Sequence, residues 1–209
     1  MVVQERLSRA VRTSPSLKAR VLGVADRLGY DTRYWCRAVM YESTFADVRA
    51  LAPETLDVLE IAAAGIWRSA FDFRSHRTPE FPEFDICSDV LDEQFDLVIA
   101  DQVFEHLRHP AAALANIRAM LKPGGRVLIL TPFLIRVHPC PLDVHRWTEE
   151  GLQFLLEDNG FDPASIRTGA WGNRKAARAN LDGFPRIGFG KDLSNEPGCP
   201  LVVWAWARL

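Results

Sequence analysis

The sequence predicts an α/β protein built on a doubly wound, mostly parallel sheet. Two short apolar runs, at residues 97–100 and 127–130, are continuous and rich in branched side chains, as in strands that are covered on both faces. Between these runs, Leu114, Ile117 and Leu121 recur at helical spacing. A strand, a helix and a second strand in this order form a parallel crossover unit, and such units build sheets with helices on both faces.

The chain before the sheet is predicted to be a helical cap. Residues 1–51 contain three amphipathic stripes, the last of which continues through Val48. We expect the cap to pack against the sheet formed by residues 52–209, so that the two make one compact unit. The alternative is a lid over a ligand, with aromatic side chains such as Tyr34 and Tyr41 facing that ligand.

The rest of the chain supplies the outer strands. Residues 56–61 (LDVLEI) and 200–209 (PLVVWAWARL) have the composition of the first and last core strands. Residues 169–198 show no strong periodicity, and we expect them to form a long irregular insertion. Insertions of this kind in compact domains are usually functional or mobile.

Composition limits the function classes. A chain of 209 residues suits one domain, and its formal net charge of −2 gives no basic footprint for nucleic acid. No apolar run approaches the roughly 20 residues of a membrane span, and the N-terminal residues lack the apolar core of a signal peptide. The four cysteines are scattered without a Cys-x-x-Cys pair. We therefore expect a cytoplasmic protein with reduced thiols and no nucleic-acid or membrane partner. No metal site is expected, because the sequence shows no convincing cluster of ligands, and the alternative is a divalent ion held by Asp101 or Asp143.

Three motifs carry a family resemblance. Residues 95–107 (FDLVIADQVFEHL) and 121–132 (LKPGGRVLILTP) closely resemble the late motifs of class I S-adenosylmethionine-dependent methyltransferases. This resemblance implies a Rossmann-like sheet of seven strands with the last strand antiparallel, and S-adenosyl-L-methionine as cofactor. Residues 138–148 (HPCPLDVHRWT) resemble the H…P.D..R.T signature of a bacterial subgroup that is often found with sugar, polysaccharide or natural-product pathways. A small molecule or a saccharide is the expected substrate, and a homodimer stays open.

The resemblance assigns the first cofactor contacts to the turn after residues 56–61. Glu60 occupies the acidic position that precedes a glycine-rich turn in the family. Here Ala62 and Ala64 replace two expected glycines, and Gly65 is retained. Glycine lets the backbone approach the methionine part of the cofactor closely. We therefore expect the alanines to displace the cofactor slightly or to weaken its binding.

Further cofactor contacts are expected after the next strands. Glu80 lies 20 residues after Glu60, where doubly wound folds place a carboxylate on the ribose hydroxyls. The alternative for Glu80 is a solvated acid in an acidic loop. The resemblance places Asp85 and Ile86 at the adenine, and Asp101 and Gln102 beneath the methionine moiety, within reach of its amino group or of the substrate. For Phe81, stacking on the adenine and a place in the core are both open.

The proline-rich loop after residue 132 supplies the predicted catalytic residues. A sugar hydroxyl is a weak acid, and histidine, with a pKa near neutrality, is an efficient base for removing its proton. We predict that His138 is this base and that Asp143 orients it or balances its charge. The predicted substrate-binding residues are Tyr34, His106, Arg146, Trp171 and Asn173. For Arg146 the alternative is an ion pair with Asp143 that braces the loop, and for His106 it is a structural link across its own loop.

The predicted reaction is in-line transfer of a methyl group to a hydroxyl of a sugar or sugar-containing metabolite, with proximity and alignment as the main contribution of the protein. One alternative is an N- or carboxyl-methyltransferase of a small metabolite, since these acceptors need less help from a base. Another is a degenerate methyltransferase-like partner subunit, in which the alanine-rich turn binds the cofactor weakly.

Overall fold

A computed structural model describes residues 23–25, 27–62 and 65–209. The helical stripes that we predict before residue 23 and the cofactor position Ala64 lie outside the described residues. In the described part, the strands are β1 (Asp31–Tyr34), β2 (Asp57–Ile61), β3 (Ser75–Arg77), β4 (Phe95–Asp101), β5 (Leu121–Pro132), β6 (Arg167–Trp171), β7 (Arg186–Gly188) and β8 (Val202–Arg208). The helices of eight or more residues there are α1 (Ala38–Arg49), α3 (Pro110–Ala119), α4 (Glu149–Asp158) and α5 (Arg174–Asp182), and the single-turn α2 (Ile66–Ala70) follows β2.

The main sheet confirms the predicted fold class. Its strand order is β3-β2-β4-β5-β8-β6, and β3, β2, β4 and β5 run parallel to one another. The last strand, β8, runs antiparallel to β5 and to β6, as predicted. Strands β1 and β7 form a separate antiparallel pair on one side of this sheet.

The main sheet has six strands among the described residues, whereas we predicted seven. The segment between β3 and β4 forms turns in place of a further strand. Pro79 and Pro82 have no N–H to donate to a neighbouring strand. The side chains of Asp85 and Asp89 accept backbone N–H groups within the segment, at 2.9 Å from Cys87 and 2.7 Å from Asp85. These local bonds take the place of a strand ladder.

The core lies in two layers, one on each face of the sheet. On one face, α1 buries Met40 and Val48 against strand side chains such as Leu128. On the other face, α3 and α4 bury Ile117 and Leu156. Each fully buried side chain of this size contributes roughly 1.5–3 kcal/mol through removal from water. The described part of the predicted cap therefore packs directly on the sheet.

The prediction of an irregular insertion at residues 169–198 is wrong as far as residue 188, because α5 and β7 form there. Asn173 caps α5 by accepting the Ala176 N–H at 2.8 Å, and β7 follows after a short loop. Thr148 caps α4, since its hydroxyl accepts the Gly151 N–H at 3.0 Å. None of the described helices combines the length and the apolar content that crossing a bilayer requires.

Candidate active site

The carboxyl ends of β2 and β4 lie side by side, because Ile61 pairs with Ala100. The chain leaves β2 through a turn in which Ala62 has a φ of 55° and Gly65 a φ of 75°. Both values fall in the left-handed region, which costs an alanine but not a glycine. At Ala62 the backbone therefore keeps a glycine-like conformation, although alanine replaces the glycine that the family has there.

Asp101, at the end of β4, is held by two aromatic donors. The Tyr41 hydroxyl of α1 donates to its Oδ2 at 2.8 Å, and the Trp67 Nε1–H of α2 donates to the same oxygen at 3.1 Å. Asp101 Oδ1 is buried and has no hydrogen-bond partner among the described residues. Burial raises the pKa of the Asp101 carboxyl, although Arg37 and these two donors act in the opposite direction.

Arg37 is a site residue that the sequence reasoning missed. It is half-buried and precedes α1 at the same edge of the sheet. Burial acts to lower the pKa of its guanidinium, but the nearby Tyr41 and Asp101 raise it overall. Burial and Asp101 also raise the pKa of Tyr41, so that its hydroxyl keeps the proton it donates. The start of α1 thus places one cation and one donor over the end of β4.

Two further polar residues complete this edge. Glu60 is 1% exposed, and its Oε2 lies 3.0 Å from Nε2 of His76 on β3, without the geometry of a hydrogen bond. Gln102 has a φ of 58°, and both polar atoms of its amide are buried without a partner in the described residues. Buried polar groups without partners are rare in folded proteins. Asp101 Oδ1 and the Gln102 amide therefore indicate a place for a polar ligand group that carries both donors and acceptors.

The residues predicted to contact the ribose and the adenine differ from Asp101 and Gln102 in their burial and hydrogen bonds. Glu80 and Phe81 are exposed in the segment that follows β3, with Phe81 64% exposed. Asp85 folds back on the Cys87 N–H, and Ile86 is buried in the core beside α3. Asn116 of α3 donates to the Ile86 carbonyl at 2.9 Å, which fixes this segment to the helix.

The loop from residue 133 to residue 147 is braced by a two-pronged ion pair. Arg146 Nη2 donates to Asp143 Oδ2 at 2.7 Å, and its Nη1 donates to Oδ1 at 2.5 Å. The Arg146 guanidinium holds the pKa of the Asp143 carboxyl well below its usual range. The His138 N–H also donates to Asp143 Oδ2, at 2.8 Å. These contacts match the bracing alternative for Arg146. Asp143 Oδ2 also lies 3.5 Å from His138 Nδ1 and acts to raise the pKa of His138, as a charge-balancing carboxylate would.

Glu105 is the carboxylate that faces His138 Nε2, and sequence reasoning gave it no role. It is 0% exposed, and its Oε1 lies 3.8 Å from His138 Nε2 and 3.5 Å from His106 Nε2. The backbone carbonyl of Glu105 accepts the N–H groups of Val144 and His145, which joins its loop to the loop of His138. The Glu105 carboxylate is the largest cause that raises the pKa of His138. We call Glu105, His106 and His138 the Glu–His–His cluster.

The remaining predicted substrate-binding residues do not gather at this cluster. Trp171 is 1% exposed, and its Nε1–H donates to the Leu193 carbonyl at 3.0 Å, so stacking on a sugar face does not fit its position in the core. Asn173 is fully buried and donates to the carbonyls of Asp192 and Ser194 at 3.0 Å each, which gives it a structural role. Tyr34 is exposed on β1 and lies under the Arg186 guanidinium.

Three solved structures with the same fold are distant from this chain in sequence. A possible histamine N-methyltransferase from Thermotoga maritima shares 14% identity at a TM-score of 0.51, over 81% of this chain and 88% of that one. The CurJ carbon methyltransferase shares 14% at a TM-score of 0.53, over 81% of this chain and 53% of that one. Phosphoethanolamine N-methyltransferase 2 of Haemonchus contortus was solved with S-adenosyl-L-methionine. It shares 12% identity at a TM-score of 0.52, over 80% of this chain and 52% of that one.

No curated protein matches the sequence. The family model described as "Methyltransferase domain" matches residues 27–166, which is more than half of the chain and includes β2, β4, β5 and the Glu–His–His cluster. The polar groups left open at the ends of β2 and β4 suit the ammonium and carboxylate of an amino-acid moiety such as that of S-adenosylmethionine. The chain therefore belongs to this methyltransferase-domain family, and it is a class I enzyme with S-adenosyl-L-methionine as its cofactor.

Proposed function

We propose that this methyltransferase acts on a hydroxyl group of a sugar or a sugar-containing metabolite. The observation that carries the proposal is the Glu–His–His cluster. An amine or a carboxylate can attack a methyl donor with little help, whereas a hydroxyl must lose its proton. A buried carboxylate that faces two imidazoles is suited to that task. The similarity of residues 138–148 to a subgroup linked to sugar pathways supports the same acceptor class.

The cofactor would be held by the edge formed by β2 and β4. Asp101 and Gln102 have the open polar atoms for its amino-acid moiety, and Glu60, Ala62 and Gly65 follow the neighbouring strand to the same edge. When bound, S-adenosylmethionine supplies an electrophilic methyl group on a positively charged sulfur. The described residues would orient this group toward the acceptor and exclude water. Contacts of Glu80 with the ribose, and of Phe81, Asp85 and Ile86 with the adenine, stay predictions.

Histidine assistance is part of the proposal, with one change from the sequence prediction. Asp143 braces the loop through Arg146 and the His138 N–H, and its Oδ2 lies 3.5 Å from His138 Nδ1. Glu105 adds a second carboxylate, which faces Nε2 of the same ring. His138 Nε2 is buried in the described structure, and its Nδ1 lies 3.1 Å from the Arg136 carbonyl. Direct proton transfer to Nε2 therefore requires the acceptor hydroxyl to enter between His138 and Glu105.

The test compares acceptors that differ only in the group to be methylated. The purified protein would be incubated with isotope-labelled S-adenosylmethionine and with a hexoside, the matching amino sugar and the matching uronic acid, and the products would be identified by mass spectrometry. We expect a methyl ether on a hydroxyl. Label only on the amine or the carboxylate would contradict O-methylation and support the N- or carboxyl-methyltransferase alternative.

Two variants separate the role of the cluster from that of the cofactor site. His138→Ala should lower turnover while leaving the affinity for S-adenosylhomocysteine, measured by calorimetric titration, unchanged. The matched control is His109→Ala, because His109 is exposed and its side chain makes no capping bond to α3. Failure of the folded wild-type protein to bind S-adenosylhomocysteine would support the partner-subunit alternative.

A further inference from the structure

The Glu–His–His cluster brings three potential ligand atoms together in a buried position. One atom from each of its three residues lies within 4.8 Å of the other two. Glu105 Oε1 lies 3.5 Å from His106 Nε2 and 3.8 Å from His138 Nε2. Zinc bonds of about 2.0–2.2 Å to nitrogen and oxygen place neighbouring ligands of a tetrahedron about 3.3–3.6 Å apart. The spacing is thus close to that of a metal site.

The hydrogen bonds of the two histidines fix which ring nitrogen is free. His106 Nδ1 lies 2.5 Å from the Leu142 carbonyl, and His138 Nδ1 lies 3.1 Å from the Arg136 carbonyl. A carbonyl oxygen only accepts, so each Nδ1 carries a hydrogen, and a ring in the neutral form keeps its lone pair on Nε2. Both Nε2 lone pairs then point toward the cluster. Histidine ligands in metal sites are held in this way, with the second ring nitrogen donating to a carbonyl or carboxylate.

Glu105 adds a negative charge to this arrangement without a compensating donor. Both of its carboxylate oxygens are buried and lack a hydrogen-bond partner among the described residues. The Arg146 guanidinium is directed to Asp143, and Arg37 acts on Glu105 through its charge without a hydrogen bond to it. A buried carboxylate without a hydrogen-bond partner costs several kcal/mol. A carboxylate and two imidazole lone pairs that face one another are suited to bind a cation.

We propose that Glu105, His106 and His138 bind a divalent transition metal ion, with zinc as the best match to two imidazoles and one carboxylate. The sequence predicted no metal site, because these ligands come from two loops that are distant along the chain. The inference rests on the proposed function only for its consequence: an ion beside the acceptor would lower the pKa of the hydroxyl that is to be methylated, in place of direct proton transfer to His138 Nε2, which the ion would occupy. Its binding is independent of the cofactor and the acceptor.

The test measures metal binding alone. Chelator-treated protein would be titrated with ZnCl2 by calorimetry and with CoCl2 by visible absorption, which reports ligand number and geometry. We expect one equivalent bound and a spectrum typical of four or five nitrogen and oxygen ligands. Glu105→Gln and His106→Gln should each weaken binding by at least about tenfold. Circular dichroism would establish that each variant is folded.

Two controls address other metal-binding groups. His109→Gln removes an exposed histidine outside the cluster, and Cys140→Ser removes an exposed thiol. Neither change should alter the stoichiometry or the affinity. Absence of binding to the folded wild-type protein, or binding that Glu105→Gln and His106→Gln leave unchanged, would overturn the proposal and leave a proton as the cation of the cluster. Because neither cofactor nor acceptor is present, this failure is distinct from failure of the proposed O-methylation.

Discussion

The hydrogen bond from Tyr41 to Asp101 links the helical cap to the cofactor edge and should be measurable as stability. The two residues are 60 positions apart, and their oxygens are 2.8 Å apart in a half-buried setting. Tyr41→Phe removes the donor and keeps the ring, which also packs at 5.5 Å from Phe45 between ring centroids. The Asp101 carboxylate then retains only the Trp67 N–H on Oδ2.

The size of the effect follows from the remaining contacts. Hydrogen bonds to charged groups contribute about 1.5–3 kcal/mol, and the cost rises when a buried acceptor is left short of donors. Because Trp67 still donates, we expect a loss near the low end, about 1–2 kcal/mol. For a chain of this size that corresponds to a fall in Tm of roughly 3–6 °C.

The assay is thermal unfolding followed by circular dichroism, with Tyr34→Phe as the matched control. Tyr34 is partly exposed on β1, and its ring contacts the Arg186 guanidinium at 4.6 Å, which phenylalanine preserves. The control should stay within about 0.5 kcal/mol of the wild type. If Tyr41→Phe unfolds at the same temperature as Tyr34→Phe, the bond to Asp101 does not fasten the cap to the sheet.

Three further changes have defined outcomes. Ala62→Gly should stabilise the protein by about 1 kcal/mol in urea unfolding, because φ is 55° at this position; no gain would mean that the alanine carries no strain there. Asp57→Asn should lower Tm at pH 7, because Arg74 and Lys122 lower the pKa of the Asp57 carboxyl and thereby stabilise the folded state. The difference in Tm between wild type and variant should shrink as the pH falls below about 4, and a difference that stays constant with pH would contradict this linkage. Asn173→Ala should lower the free energy of unfolding, measured in urea, by about 2–3 kcal/mol, because the buried Asn173 side chain makes three hydrogen bonds. A near-neutral result would show that Asn173 does not anchor this segment.

The sheet could be predicted because its signals are local. Strands β4, β5 and β8 are continuous apolar runs, and the motifs around them resemble one family closely enough to predict a mostly parallel sheet with an antiparallel last strand. Helix α5 gave no such signal, since the side chains that it buries are Ala176 and Asn180, which add little to an apolar periodicity. Its N-cap at Asn173 was the available clue.

The site was harder to predict, because its contacts join distant segments. Asp101 and Gln102 could be placed at the end of a strand from the pattern alone, but their partners could not. Arg37 and Glu105 were missed for this reason: each acquires its role from residues on other elements. The sequence did suggest the ion pair between Asp143 and Arg146, because these residues are three positions apart in one loop.

The alanines after β2 bear on the choice between an enzyme and a degenerate subunit. A chain released from cofactor binding would be free to relax the turn and to satisfy the buried polar atoms around it. Instead, Ala62 keeps the left-handed backbone that a glycine would adopt, at a cost in conformational energy. Asp101 Oδ1 and the Gln102 amide also stay buried without partners in the described residues, at a further cost. Energetic costs that are concentrated at one edge of a sheet are expected for a site that still binds its ligand, and they favour the enzyme over the partner subunit.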